Sequence, residues 1–310
     1  MRKNQNSLKP GTLMDDYRLL EKLGGGGFSI VYLARHRRSG KPYVIKEYIP
    51  KKLAIRQANG EVVARSSETE TKLSQGRQLF LQEASTLANL KHPNIVNVVN
   101  FFRANGTVYM VMEYTEGANL QDYLKKYNGG LTEKFLRVVF PRLLKGLKLI
   151  HENDLLHLDI KPGNIHIRRG GRPLLLDFGA VHGFPQSRSE QPGQVISPGF
   201  SPIEQYDARG YVGPWTDIYA FGATMRTCIE GTPPPPASER RVKDRMRPAL
   251  KLFRKNYSAN LLEAIDWAME IDPEFRPQSV SEFRKALHKE VTEEDESNSA
   301  LDWLTRDLFA

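Results

Sequence analysis

Apolar and β-branched runs broken by turn signals mark the first third of the chain as strands. YRLLEKL (17–23), FSIVYLA (28–34) and KPYVIKEY (41–48) are the first three. A glycine cluster separates the first two, and the turn RRSGKP predicts a hairpin between the second and third. The apolar pattern weakens over 49–75, which reads as an insertion holding a β-hairpin around EVVARS with a turn at Asn59-Gly60. QGRQLFLQEASTLANL then carries Phe80, Ala84, Leu87 and Leu90 near one helical face. IVNVVNFFRANGTVYMVMEY predicts two more strands joined at Asn105-Gly106. After Gly117 the pattern becomes helical: NLQDYLKKY and EKFLRVVFPRLLKGLKLIHEN are amphipathic, and Pro141 is expected to kink or shift the second. Short strand-like pieces follow (LLHLDI, NIHIRR, PLLLDFG), then a polar Gly/Pro/Ser stretch over about 180–203 and helical segments near 216–230, 258–270 and 278–288. Strands first and helices afterwards predict an α+β chain of two lobes, with the boundary near Glu113–Gly117. The organisation expected is a polar extension over 1–16, a small lobe over 17–114, a larger one over 115–288, and a tail over 289–310 that is acidic and then apolar-aromatic.

Composition changes this picture only by exclusion. With 310 residues, 40% hydrophobic and 26% charged, the chain is neither a disordered polymer nor a membrane bundle. The excess of 45 basic over 36 acidic residues, +9, permits acidic partners. No basic stripe with interleaved aromatics appears, so nucleic acid is not expected. The lone cysteine, Cys228, can form no internal disulfide. That fits a reducing, cytoplasmic home. No apolar run approaches the roughly 18 residues of a membrane span, and the first residues lack the apolar stretch of a signal peptide.

Chemistry enters through three local signals, each weak alone. LGGGGFSIVYLA followed by VIK places a glycine-rich turn between strands, where backbone can approach phosphate oxygens with no Cβ in the way. HLDIKPGN sets Asp159 five residues before Asn164: a carboxylate that can accept a proton and an amide oxygen that can ligate Mg²⁺. LLLDFG holds Asp177 just after an apolar run, thirteen residues beyond Asn164. Taken singly, these read more readily as a surface hairpin, an exposed lysine and two loop aspartates capping turns.

In order, however, the glycine loop, Lys46, Glu83, HLDIKPGN, DFG and a Pro-x-Glu after a polar loop resemble the eukaryotic-like, bacterial-type serine/threonine protein kinase family over residues 17–288. That resemblance implies a bilobal fold, with a small antiparallel sheet and one main helix in the first lobe and a larger, mostly helical second lobe. It implies ATP with Mg²⁺, or Mn²⁺ in its place, as cofactors. Gly24 and Gly26 match the first two glycines of the phosphate-covering loop, while Ser29 replaces the third. Phe28 stands at the loop tip, and Leu23 and Val31 flank adenine, with Val44 where the family usually has alanine. Lys46 matches the phosphate-binding lysine and Glu83 its partner. Met112 takes the gatekeeper position and Glu113–Thr115 the hinge. Asp159 matches the catalytic aspartate, Lys161 the lysine steadying the γ-phosphate, and Asn164 and Asp177 the metal ligands. Glu204 is expected to pair with Arg276, and Asp217 to bind the backbone of the catalytic loop.

Two departures shape the functional expectation. Leu158 stands where many members have an arginine that pairs with a phosphorylated activation loop, so activity is expected not to need that contact. The segment between Asp177 and Glu204 contains serines but no threonine, so autophosphorylation there is expected on serine, with Ser187, Ser189 and Ser197 as candidates and Ser66, Ser67, Thr69 and Thr71 of the insertion as equal alternatives. The segment 239–255, with eight basic and two acidic residues, reads as a solvated face or a docking surface for acidic protein substrates. A separate regulatory partner is also expected. Two rivals stay open at this stage: a pseudokinase scaffold and a small-molecule phosphotransferase.

Overall fold

The computed structural model describes residues 6–127, 129–176, 196–207 and 210–288, with the backbone of 182–183. Its contacts form two units, Met1–Lys91 with Val96–Thr115 and His92–Ile95 with the chain from Glu116 onward.

The first unit is a six-stranded antiparallel sheet: β1 (Leu13–Met14), β2 (Tyr17–Gly25), β3 (Ser29–His36), β4 (Pro42–Tyr48), then β7 (Val98–Ala104) and β8 (Thr107–Glu113). The order is β1-β2-β3-β4-β8-β7, which places β4 in the interior. Asn105 and Gly106 take φ of 47° and 65°. Two consecutive left-handed positions suit the tight hairpin turn between β7 and β8. The insertion contributes its own hairpin, β5 (Ala54–Arg56) paired with β6 (Val62–Ala64). Leu73, Phe80, Ala84 and Leu87 form the buried stripe of α1 (Ser67–Asn89), which packs on β7 and β8.

Helix α1 corrects the expected insertion. It starts at Ser67, so residues 67–75 belong to it. The helix-start chemistry is present: the Ser66 N–H donates to the Thr69 hydroxyl, and Glu68 and Glu70 lie in the first turn. Only Leu73 is buried over these turns, which is why periodicity missed them. Gly76, the residue that looks least helical, has a packing reason: a Cβ there would collide with the Tyr48 hydroxyl.

In the second unit, α2 (Leu120–Tyr127) and α3 (Glu133–Glu152) precede the irregular segment that carries the candidate site. Thr132 caps α3 by accepting from the Phe135 N–H, and the helix runs on through Pro141 rather than breaking there. Strand β9 (Gly117–Asn119) joins β11 (Ile165–Arg168) and β12 (Arg172–Leu175) in a small sheet. A second short pair joins β10 (Leu155–Leu156) to β13 (His182–Gly183). Every residue of α4 (Pro214–Glu230) from Thr216 to Ile229 is buried, as expected of a helix surrounded by others. Phe221 of α4 meets Phe140 of α3 edge-on at 5.3 Å and Phe283 of α8 (Val280–Leu287) at 6.3 Å. Cys228 lies fully buried on α4, and burial pushes its thiol pKa up. Helix α7 (Ala259–Ala268) packs alongside α4. Two short helices that periodicity missed, α5 (Ala237–Val242) and α6 (Ala249–Phe253), each begin after a proline, Pro236 and Pro248. Among the described residues, no helix is long and apolar enough to cross a membrane.

Candidate active site

The glycine-rich turn grows out of a regular ladder. Gly24 pairs with Val31 and Gly25 with Ile30. The β3–β4 ladder continues past Tyr48, since the Ile49 N–H donates to the Phe28 carbonyl at 2.9 Å and the Lys51 N–H to that of Gly27 at 2.8 Å. A Cβ added at Gly24, Gly26 or Gly27 would stand in open space. The turn is therefore a cradle with room above its backbone, the form a phosphate chain requires. Leu23 and Phe28 are exposed, and Val31 is half-buried. Lys46 is buried on β4, with Val31 and Met110 as its cross-strand neighbours. Its Nζ lies 3.9 Å from Glu83 Oε1 on α1 and 5.6 Å from the Phe80 ring centre. Met112 is buried opposite Val44, the exposed Glu113 donates its N–H to the Asn97 carbonyl, and Thr115 closes the unit.

The second unit gathers polar side chains around one carboxylate. Lys161 Nζ donates to both oxygens of Asp159 at 2.8 Å. Asn164 Nδ2 donates to the Asp159 carbonyl and to its Oδ2, both at 2.8 Å. The Ser197 hydroxyl accepts from Lys161 at 2.8 Å and donates to Asp159 Oδ1 at 2.7 Å. A short 3₁₀ turn, Pro162–Asn164, folds Asn164 back to this position. With its amide nitrogen committed to Asp159, Asn164 is left with Oδ1 as an available hard oxygen donor, which suits Mg²⁺. Asp177, Ser187 and Ser189 lie outside the described residues.

The backbone bearing Asp159 is held in an unusual conformation. Leu158 has φ of 60° and a buried side chain. A left-handed leucine is costly and persists only where its surroundings over-determine it. Asp217 Oδ1 accepts the Leu158 N–H at 2.7 Å and Oδ2 the His157 N–H at 2.8 Å, while Gln205 Nε2 donates to the Leu158 carbonyl at 3.0 Å. His151 Nε2 lies 2.8 Å from the same Asp217 Oδ2. Burial alone raises the Asp217 pKa, but hydrogen bonds and charge from His151 and His157 outweigh it and hold the carboxyl below the ordinary aspartate value. A depressed folded-state pKa contributes stability above the unfolded value, near pH 4, that is lost as pH falls through the folded value. Acid melts of the wild type and Asp217→Asn should accordingly converge below about pH 4. Parallel curves across that range would exclude this contribution.

Glu204 and Arg276 form a two-pronged ion pair at 2.7 and 3.1 Å, with the Thr216 hydroxyl donating to the same carboxylate at 2.9 Å. Sequence reasoning did not single out Gln205, His151, Thr216 or Ser201, whose hydroxyl accepts the Ser197 N–H at 3.0 Å. Gln205 and Thr216 sit beside motif residues, and that adjacency was the one signal available. Among the described residues, no cluster of three His, Cys, Asp or Glu side chains could hold a metal.

Comparison with known proteins shows the family and the fold. The protein kinase domain model matches residues 17–296. The chain is 29% identical over 302 residues to the serine/threonine-protein kinase STE20 of Candida glabrata, covering 96% of this chain and 30% of that protein. It is 30% identical over 282 residues to the probable serine/threonine-protein kinase CPE1738 of Clostridium perfringens, covering 88% and 38%. The chain thus spans about a third of the length of these relatives. Among solved structures, the apo form of PpkA-294 superposes with TM-score 0.80 at 34% identity, over 91% of this chain and all of that one. The kinase domain of Mycobacterium tuberculosis PknI shares the fold, with TM-score 0.66 at 23% identity over 91% and 98%. The chain belongs to the protein kinase family, in its bacterial-type serine/threonine branch.

Proposed function

We propose that this chain is a catalytically competent serine/threonine protein kinase that uses MgATP. The observation that carries this reading is the convergence of Lys161, Asn164 and Ser197 on the Asp159 carboxylate. MgATP, when bound, supplies the transferable phosphoryl group and the metal charge that offsets its oxygens. Lys46, oriented by Glu83, binds the α- and β-phosphates, and the backbone of Gly24–Phe28 covers them. Leu23, Val31 and Met112 pack on adenine, and the backbone of Glu113–Thr115 meets its polar edge. Asn164, together with Asp177, holds the metal through oxygen. Asp159 orients the incoming hydroxyl and accepts its proton, while Lys161 bears the charge of the γ-phosphate. Phosphoryl transfer asks little covalent work of a protein, so placing these groups is most of the catalysis. A pseudokinase gains no support from the described residues: Lys46 pairs with Glu83, and Asn164 donates to Asp159.

We further assign the substrate-docking role to residues 239–255, in a cytoplasmic protein that works with a separate regulatory partner. Arg240 is not part of the docking face, because it is buried against Asp244 and Tyr219. The seven other basic residues of the segment are exposed.

The test is incubation with radiolabelled ATP and Mg²⁺ with and without a generic protein substrate, followed by phosphoamino-acid analysis. Phosphoserine or phosphothreonine is the expected product. Nucleotide binding without any transfer would refute the reading. In the same assay the Ser187→Ala/Ser189→Ala protein should keep its turnover, because Leu158 has no charge with which to engage a phosphorylated loop. A large loss would show that loop phosphorylation acts by another contact.

A further inference from the structure

Along β4 the side chains alternate between two faces. Lys46 and Tyr48 turn toward α1, where Tyr48 packs on Phe80 at 5.7 Å. Glu47, between them, turns to the opposite side and is wholly buried. A lone buried carboxylate is very costly, so its partners should be visible. They are: the Tyr32 hydroxyl of β3 donates to Oε2 at 2.9 Å, the Tyr109 hydroxyl of β8 donates to Oε1, and Arg56 Nη2 lies 2.5 Å from Oε2. Burial and then the Glu47 charge raise the pKa of both tyrosines, which keeps them as neutral donors.

Arg56 belongs to the insertion hairpin, and its remaining donors bind chain elsewhere. Nε donates to the Asn6 carbonyl at 2.8 Å and Nη1 to the Gly60 carbonyl at 2.6 Å. The Leu8 N–H reaches the Tyr32 hydroxyl at 3.0 Å. The N-terminal lead-in, the hairpin turn and three sheet strands therefore meet at one ion pair, on the residue next to Lys46. The same insertion runs on into α1, which carries Glu83, and its first residues hold the glycine-rich turn through the Ile49 and Lys51 amides.

We propose that the buried Arg56–Glu47 pair is a positioning device for Lys46. It fixes the pleat of β4 and ties the insertion to it, so that Lys46 is presented toward Glu83 at the height of the glycine-rich turn. Arg56 and Glu47 touch no substrate in this scheme; they act through Lys46. The proposal rests on the reading of Lys46 as a nucleotide-binding lysine.

The test is a double-mutant cycle on the full chain, with MgATP affinity read by calorimetry for the wild type, Arg56→Met, Lys46→Met and the double variant. Arg56→Met should weaken binding about tenfold, the worth of one misplaced hydrogen bond. In the Lys46→Met background it should have no further effect, because the group it positions is gone. The same loss in both backgrounds, or none in either, would overturn the proposal, since a merely structural role is additive. If thermal melting shows that Arg56→Met does not fold, Arg56→Lys replaces it in the cycle. That variant keeps the charge and loses the fork to Asn6 and Gly60. Binding is read without transfer, so failure of the kinase reading (nucleotide bound, no phosphate moved) is distinct from failure of the cycle.

Discussion

Asp159→Asn should lower turnover at least about 10²-fold, the usual cost of losing a positioned general base. The substitution keeps the side-chain shape, so the change is one of charge and donor count. In the wild type, Lys161, Asn164 and Ser197 all donate to this one carboxylate. An asparagine offers one acceptor oxygen and brings an NH₂ group to face donors, so the cluster cannot be rebuilt around it. Nothing on the nucleotide-binding strand changes, and the KM for ATP should stay close to that of the wild type. Steady-state kinetics separate the two parameters. A folded Asp159→Asn protein with near-normal kcat would contradict the assignment of the base.

Arg276→Met should be the most destabilising single change among the motif residues. The Arg276 side chain is fully buried, its guanidinium lies 4.8 Å from the Tyr219 ring centre, and it donates to the carbonyls of Glu270 and Ile271 as well as to Glu204. Removing one partner of such a pair leaves an uncompensated buried charge, at a cost of about 3–5 kcal/mol. For a unit of this size that corresponds to a fall in melting temperature on the order of 10 °C. The double replacement Glu204→Leu/Arg276→Met should recover part of the loss, because it buries no charge. It should not recover all of it. The Thr216 hydroxyl would lose its acceptor, while still accepting from the Gly213 N–H, and the Glu270 and Ile271 carbonyls would lose the Arg276 donors; each unsatisfied group costs about 1–3 kcal/mol. Differential scanning calorimetry on the three proteins decides this, and a single variant that melts with the wild type would refute it.

What could be read from the chain follows the range of the interaction involved. Turns such as Asn105-Gly106 are set by neighbouring residues, and the order of strands and helices gave the α+β class. The first turns of α1 left no period to read, because Leu73 is the one buried residue there. Helices α5 and α6 span six and five residues, too short for a period to show. The site residues named from motifs were legible as a spaced set, but their supports were not. Gln205 reaches Leu158 across 47 positions, and Glu47 looks like any strand glutamate until Tyr32, Tyr109 and Arg56 are seen around it. Long-range pairing leaves no periodic trace in the sequence.

The burial of Cys228 has a practical consequence. It is the one cysteine among 310 residues, it is sealed inside α4, and its thiol is held in the unreactive protonated form. Maleimide reagents, which need an accessible thiolate, would pass it by while the protein stays folded. A cysteine engineered at an exposed position such as Ser39 would then be the single labelling site in the native background. A fluorophore or spin label placed there would report on the glycine-rich half of the molecule, and Cys228 could stay in place throughout.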